Sequence, residues 1–184
     1  MIPTAVISAR GEERLRRGHP WIYRSDVIDA AADAGAVVDV LGPRQRFLGR
    51  ALYSDQSQIT LRLLTRGEEE IDTAFWAARL GAAIDFRRNL GIDATAYRLV
   101  HGEADLLPSL IFDRYADVLV VQALSQGMDR HLPELLPTLV DLTGARGVLA
   151  RNDPRVRGLE GLEQRVEVLH GDVPVRILVH EGSI

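Results

Sequence analysis

The sequence predicts an α+β protein in which a small β-barrel precedes an α+β domain. Short apolar stretches separated by Gly and Pro fill the first seventy residues, which is typical of small barrels. An acidic run at 67–70 interrupts this pattern. Beyond that run, helical apolar spacing alternates with strand-like stretches. We therefore place the barrel at residues 1–70 and the α+β domain at residues 71–184.

The barrel is predicted to open with a strand, a polar helical turn and a second strand. Residues 5–7 are apolar, and residues 12–17 form a polar turn that ends at Gly18. The residue before Pro20 is held extended because the proline ring crowds the helical region. Residues 21–23 (WIY) therefore resume as a strand.

Three further strands complete the predicted barrel. Residues 36–41 and 47–53 are rich in apolar side chains and are joined by a turn at Gly42 and Pro43. Residues 58–64 (QITLRLL) alternate apolar and polar side chains. That period of two predicts a half-buried strand.

The second domain is predicted to begin with a long helix. Asp72 or Thr73 can cap it, and it runs to about Leu90, where Gly91 ends it. Apolar residues recur at spacings of three and four, which predicts one buried face. These residues are Phe75, Trp76, Leu80, Ala83, Ile84 and Leu90.

The rest of the second domain reads as strands around one helix. Residues 110–114 and 118–123 form a hairpin, and residues 129–142 form a helix that ends near Gly144. The remaining strands are predicted at 96–100, 147–151, 165–169 and 173–180. The last strand is predicted to pair back, and its return strand is missing at Gly182, Ser183 and Ile184. We therefore expect the sequence to stop inside a larger protein.

Composition excludes several kinds of chemistry. The absence of cysteine excludes disulfides, cysteine-ligated zinc and a thiolate nucleophile. All 22 basic residues are arginine, so a Schiff-base lysine and a P-loop lysine are excluded as well. No apolar run is long enough to span a bilayer, and residues 1–10 do not read as a signal peptide. We expect a cytoplasmic protein.

Two arginine clusters predict where a polyanion would bind. The net charge is −4, yet residues 10–24 hold five arginines and residues 44–66 hold five more. Within the first cluster, residues 14–21 (RLRRGHPW) place arginines beside a glycine turn and an aromatic side chain. Arginine grips phosphate in bidentate fashion, and an aromatic ring can stack on an unpaired base. A core position for Trp21 and a turn role for His19 are the alternatives.

No motif for a nucleotide cofactor is present. The run GARG at 144–147 reads as a helix stop and a turn, and no G-x-G-x-x-G, P-loop or G-x-S-x-G pattern occurs. One polar stretch, which Asp113 follows, could hold a metal or an acid/base cluster. His101, Glu103 and Asp105 alternate in it, so in a strand they would share a face. Capping of neighbouring amides or pairing with Arg114 is the commoner role.

Three blocks carry a resemblance to a known family: residues 14–23 (RLRRGHPWIY), 97–115 (YRLVHGEADLLPSLIFDRY) and 152–162 (NDPRVRGLEGL). Together they resemble bacterial class I S-adenosylmethionine (SAM)-dependent rRNA methyltransferases with an N-terminal PUA domain, similar to the 23S rRNA cytosine-5 methyltransferase group. The resemblance implies a PUA barrel, then a strand-strand-helix-strand-strand domain, then a Rossmann-like SAM domain beyond this sequence. It also implies a homodimer and a catalytic cysteine in that later domain.

One loop departs from the family pattern. Where members often have Asp-Gly-Leu-Pro-Gly, this chain has DLLPS at 105–109, so Leu106 and Ser109 replace two glycines. If the loop needs positive φ at those positions, its geometry would have to change.

The sequence therefore predicts the RNA-binding part of an rRNA base methyltransferase, with no catalytic, cofactor or metal site of its own. SAM is expected for the intact protein, and structured RNA, ribosomal in origin, is the expected partner. The alternatives are a free-standing RNA-binding adaptor, a structural dimerisation module, and a small hydrolase or metalloenzyme built on the acidic cluster of His101, Glu103, Asp105 and Asp113. The predicted RNA-binding residues are Arg14, Arg16, Arg17, His19, Arg24, Arg46 and Arg50.

Overall fold

A curled six-stranded sheet forms the first part of the chain in a computed structural model that describes residues 2–182. Ser183 and Ile184, where the interrupted chain end was predicted, lie outside the described residues. The elements are β1 Thr4–Ile7, α1 Ala9–Arg16, β2 Trp21–Tyr23, β3 Val27–Ala30, β4 Val37–Leu41, β5 Phe47–Tyr53 and β6 Ile59–Thr65. The strand order is β2-β6-β5-β4-β1-β3, with β1 and β4 parallel and the other pairs antiparallel.

The sheet curls because its two edge strands are neighbours in sequence. A single helical turn, Arg24–Asp26, joins β2 to β3. The opposite edges of the sheet therefore lie close together, as the predicted barrel requires. The sequence analysis missed β3, whose two central residues are exposed and show no apolar pattern.

Helix α1 begins earlier than predicted. The Ser8 Oγ accepts a hydrogen bond from the Gly11 backbone N–H at 3.1 Å, which caps the helix in the usual manner of serine. Ala9 is therefore the first helical residue, rather than Glu12. Leu15 anchors the helix in the core of the curled sheet.

A five-stranded sheet forms the second part. The elements are α2 Thr73–Asn89, β7 Ala96–His101, β8 Leu110–Tyr115, β9 Val118–Ala123, α3 Gln126–Thr143, β10 Gly147–Asn152 and β11 Arg165–Gly171. The strand order is β11-β10-β9-β8-β7, and α3 is the crossover that makes β9 and β10 parallel. The predicted strand-strand-helix-strand-strand layout has two strands before the helix, whereas three strands, β7, β8 and β9, precede α3.

The strand predicted at 173–180 is wrong. After β11 the chain turns across the end of the sheet, where the Asp172 N–H donates to the Arg146 carbonyl at 3.2 Å. It then meets the start of β7, where the Thr95 N–H donates to the His180 carbonyl and the His180 N–H donates to the Thr95 Oγ1, each at 2.8 Å. Pro174 has no N–H to give a ladder, and residues 173–180 form no strand, although Glu181 makes an isolated antiparallel bridge with Ala94.

Strand β6 is covered on both faces, not on one as its alternation predicted. Leu61 belongs to the core of the curled sheet, whereas Leu64 belongs to the core of the second part. Between them, Arg62 is 7% exposed and pairs with Glu160 at 2.7 Å. The polar side of the strand therefore faces the second part of the chain rather than water.

Other contacts join the two parts. The Trp21 Nε1–H donates to the Glu103 carboxylate at 2.8 Å. Asp55 and Gln126 exchange two hydrogen bonds, at 3.1 and 2.8 Å. Trp21 thus has the partly buried position of a junction residue.

Among the described residues, no helix combines the length and apolarity that crossing a bilayer would need.

Candidate nucleic-acid interface

Three arginines project from one face of α1. Arg10, Arg14 and Arg17 are spaced by four and three residues, so they lie above one another on the helix. With the loop that follows α1, they bound an open concavity of about 730 Å³. Its lining residues are Arg10, Glu13, Arg14, Arg17, Gly18, His19 and Pro20.

A buried carboxylate fixes two of these arginines. Asp26 is fully buried, and its carboxylate lies 2.5 Å from the Arg10 Nε and 3.4 Å from the Arg14 Nη2. The Arg14 guanidinium also lies 4.8 Å from the centre of the Tyr23 ring, within the range of a cation–π contact. Before any ligand arrives, Arg10 is therefore hydrogen-bonded to Asp26, whereas Arg14 is held by the ion pair and the ring contact, because its Nε and the Asp26 Oδ2 have no hydrogen-bond partner among the described residues.

Arg17 is the most exposed of the three arginines. Its side chain is 77% exposed, and its carboxylate partner among residues 2–182 is Glu13, at 3.0 Å. An exposed ion pair of this kind contributes about 0–1 kcal/mol, so a phosphate can replace the carboxylate at little cost. Arg17 is therefore free to turn toward a bound anion.

His19 lies beside these arginines with one ring nitrogen engaged. Its Nδ1 accepts a hydrogen bond from the Trp21 backbone N–H at 3.1 Å. Its ring also lies 5.6 Å from the Trp21 ring and 6.2 Å from the Tyr23 ring. The turn role considered for His19 is therefore present, and its contact with a ligand stays a prediction.

Arg16 and Arg46 belong to a neighbouring concavity of about 710 Å³. Both guanidinium groups contact the Glu12 carboxylate, and Arg16 also pairs with Glu13 at 2.6 Å. Each of the two arginine side chains is 61% exposed. Arg44 also lines this concavity.

The remaining two predicted residues point elsewhere. Arg24 donates to the backbone carbonyls of Asp55 and Ser57 at 2.7 and 3.2 Å. Arg50 is 11% exposed and pairs with Asp39 at 2.9 Å. The structure thus brings Arg14, Arg17 and His19 together, places Arg16 and Arg46 on the flank, and commits Arg24 and Arg50 to intramolecular contacts.

Two arginines that line the concavities, Arg10 and Arg44, were not among the predicted RNA-binding residues. The predicted helix began at Glu12, so it did not include Arg10. The Ser8 cap was the signal that could have corrected this, since it extends the helical face back to Arg10. Arg44 lies in the β4–β5 turn, and its proximity to α1 depends on tertiary packing.

The acidic cluster at 101–113 does not converge. His101, Glu103 and Asp105 do not share a strand face, because His101 ends β7 and residues 102–105 form a helical turn. Asp113 lies in β8. Asp105 binds Arg87, and Asp113 binds Arg98 through two hydrogen bonds at 2.8 and 3.0 Å, which raise the pKa of Arg98. Within residues 2–182, no group of three or more His, Asp or Glu side chains could hold a metal ion.

The glycines of the GARG run at 144–147 do not fit a SAM cradle. Gly144 is the left-handed C-cap of α3, with φ of 63°. A Cβ on Gly147 would lie 2.1 Å from the Asp172 carbonyl oxygen, so protein already covers that side of the loop. No methyl-transfer step can be built on these residues.

The loop at 105–109 keeps the geometry that two glycines would have supplied. Leu106 has φ of 58° and Ser109 has φ of 61°, both in the left-handed region. Ser109 Oγ lies 2.5 Å from Ser125 Oγ, which caps α3 through the Met128 N–H at 3.3 Å. The backbone therefore requires positive φ at both positions, and side chains occupy them at a conformational cost.

Comparisons with known proteins agree with this fold. The profile of the PUA-like domain family matches residues 6–66. A ribosomal RNA large subunit methyltransferase I from Tolumonas auensis is 39% identical over 100% of this chain and 48% of its own length. The same enzyme from Pseudoalteromonas atlantica is 36% identical over 94% of this chain and 45% of its own length.

A solved structure has the same architecture. A candidate SAM-dependent methyltransferase from Streptococcus mutans superposes with a TM-score of 0.77 at 18% identity, over 95% of this chain and 44% of that chain. At this identity the match concerns the fold alone. The chain spans about half the length of the curated relatives that it matches.

Proposed function

Because the chain carries a PUA-like domain and is related to bacterial ribosomal RNA large subunit methyltransferases, we propose that it is the RNA-docking part of a SAM-dependent rRNA base methyltransferase. The similarity to such an enzyme along the whole chain is the observation that carries the proposal. Methyl transfer and SAM binding are assigned to the part of the relatives that this chain does not cover. The proposed division is a docking domain at 1–70 and a connecting domain at 71–184.

The proposed RNA surface is the arginine face of α1. Arg14, Arg17 and His19 form its centre, together with Arg10. Arg16 and Arg46 extend it along the neighbouring concavity. Contacts from these side chains to phosphates would position the RNA without reading its sequence. Arg24 and Arg50 line neither of these two concavities, and their guanidinium groups contact protein atoms, so their roles in RNA binding stay predictions.

The connecting domain is proposed to hold the RNA surface in a fixed orientation. The buried Arg62–Glu160 pair and the Trp21–Glu103 hydrogen bond support this role, because both tie the curled sheet to the second part. Any catalytic domain attached to the second part would then face the RNA at a set distance and angle.

A salt series tests RNA docking. The chain is titrated with a structured rRNA fragment at several salt concentrations, beside a variant with Arg16→Glu and Arg17→Glu. Several phosphate contacts predict that affinity falls steeply with salt and that the variant shows a shallower slope. Arg14 is left unchanged because a carboxylate there would lie beside the buried Asp26.

The matched control reverses Arg88 and Arg146, which are also exposed and paired with carboxylates but lie on the second part. RNA binding that is equally weak in the parent chain, the variant and the control would refute the proposal. Cytoplasmic location and the homodimer that the family resemblance implies stay predictions, and light scattering checks the second.

A further inference from the structure

The concavity beside α1 is open, and its volume is that of a small-ligand site. Its volume of about 730 Å³ lies within the range of about 300–1,000 Å³ that is common for such sites. Gly18 leaves part of its wall bare, because a Cβ there would meet no protein atom within 4 Å. A ligand can therefore approach the backbone closely at this point.

We propose that this concavity receives one unpaired nucleotide of the RNA, and that His19 donates a hydrogen bond to it from Nε2–H. The proposal rests on the RNA-docking function proposed above and states which form of RNA the site selects. Arg17, together with the fixed Arg14, would hold the phosphate of that nucleotide.

The hydrogen bonding of His19 assigns its tautomer. A backbone N–H is only a donor, so the Nδ1 that receives the Trp21 N–H carries no hydrogen. In the neutral ring the hydrogen then resides on Nε2, which makes that nitrogen a donor. Since His19 lines the concavity, this donor is available to an acceptor on a base or a ribose.

Arg14 and Arg17 would contribute to phosphate binding in different ways. Arg14 is held by the buried Asp26 and by the Tyr23 ring, so its position does not depend on the ligand. Arg17 is exposed and can leave Glu13 to close over a phosphate. A guanidinium on each side suits the single, freely oriented phosphate of an unpaired nucleotide.

A duplex fits these features poorly. The phosphates of a double helix lie on its convex outer surface, and its bases are stacked inside. They can reach the arginines at the rim, and the shallow minor groove displays riboses and base edges, but a stacked and paired nucleotide cannot be inserted into the concavity beside His19. Single-stranded RNA can turn a nucleotide out of its chain and place it there.

Two substitutions at His19 separate its two nitrogens. His19→Asn places a side-chain oxygen near the position of Nδ1, so the contact with the Trp21 N–H can persist while the distal donor is lost. His19→Gln carries an amide donor at about the distance of Nε2 and gives up the Nδ1 contact. Thermal melts of both variants establish that the fold is retained.

The experiment compares an unstructured ten-nucleotide RNA with the duplex that it forms with its complement, at one salt concentration. Charge alone favours the duplex, whose phosphates are more densely spaced. We expect the single strand to bind more tightly. We expect His19→Asn to weaken that binding about threefold to tenfold, the effect of one hydrogen bond, and to leave duplex binding unchanged. His19→Gln should retain more single-strand affinity than His19→Asn.

The outcomes separate this inference from the proposed function. Equal or tighter duplex binding, or an unchanged single-strand affinity in His19→Asn, would overturn the unpaired-nucleotide site and leave RNA docking standing. If neither these two RNAs nor the structured rRNA fragment binds the parent chain, RNA docking itself fails.

Discussion

Leu106 and Ser109 adopt a left-handed backbone conformation that is unfavourable for residues with a Cβ. Both have positive φ, at positions where the family pattern has glycine. A left-handed conformation costs a residue with a Cβ roughly 1–2 kcal/mol. Leu106 receives little in return, because its side chain is 54% exposed. Ser109 is compensated by its contact with Ser125.

Leu106→Gly is therefore expected to stabilise the protein. The gain is the relieved strain less the extra freedom of glycine in the unfolded chain, a net of up to about 1 kcal/mol. Urea unfolding measures it. Ser109→Gly is the comparison and should lower stability, since it removes the hydroxyl that contacts Ser125. A lower unfolding free energy for Leu106→Gly would contradict the strain argument.

Asp26 is expected to act on RNA binding without touching RNA. It is fully buried and holds Arg10 and Arg14. Asp26→Asn should cost about 1–3 kcal/mol of stability, because charge-assisted hydrogen bonds are lost inside the protein. Weaker RNA binding should accompany this loss, as the arginines become disordered. Calorimetry and the salt series measure the two effects, and unchanged RNA affinity would show that Asp26 does not organise the surface.

Two prolines inside helix α3 lower its stability. Pro133 and Pro137 lie within it, one turn apart on the exposed side. Each lacks the N–H that would bond the carbonyl four residues earlier, and water can serve those carbonyls on this side of the helix. The buried residues on the opposite side, such as Leu135 and Leu139, keep the helix in place.

Replacing both prolines with alanine is expected to stabilise α3. Alanine restores the missing N–H groups and has a far better helix propensity, so we expect about 1 kcal/mol or more for the pair. Thermal unfolding measures this change. Pro43→Ala in the β4–β5 turn is the control, and it should change stability little. A lower melting temperature for the α3 variant would mean that the helix requires the bend its prolines impose.

Elements with a strong local signal could be predicted from the sequence, and elements set by tertiary contacts could not. Helix α2 begins at the predicted Asp72 cap, and the hairpin of β8 and β9 has the predicted turn. Strand β6 was read as half-exposed because the burial of Arg62 depends on Glu160, which is 98 residues away. The alternation was read correctly, but its polar side faces protein.

The candidate site was likewise predictable only where its residues lie close together in the sequence. Residues 14–19 are close in sequence, so the grouping of Arg14, Arg17 and His19 follows from one helix and its turn. Arg24 and Arg50 are arginines of the same clusters, and only the fold shows that their guanidinium groups are engaged. Neither role could be read from the sequence, because their partners lie 11–33 residues away.

At the scale of the whole molecule, two tryptophans report on the two parts separately. Trp21 lies in the curled sheet, and Trp76 is fully buried in α2 of the second part. Variants with Trp21→Phe or Trp76→Phe each leave one reporter. Because the junction ties both parts together, we expect the fluorescence and circular dichroism transitions of each variant to coincide. Two separated transitions would show that the parts unfold independently.

The junction should depend strongly on Glu160. Glu160→Ala leaves Arg62 buried without its charge partner, which is expected to cost about 3–5 kcal/mol. Glu163→Ala, at a nearby exposed position, serves as the control and should change stability by less than about 0.5 kcal/mol. A loss for Glu160→Ala no larger than the control would show that the ion pair is dispensable.

The packing of Gly127 against Leu52 bears on how such a protein can evolve. A Cβ on Gly127 would lie 2.6 Å from the Leu52 Cβ, so the start of α3 fits against β5 with no room to spare. Leu52 and Leu64 also belong to the core of the second part. A gene fusion that moved only the curled sheet into another protein would expose these leucines to water. We therefore expect recombination to transfer the two parts together. Other domains should be joined after the second part rather than inserted between the two.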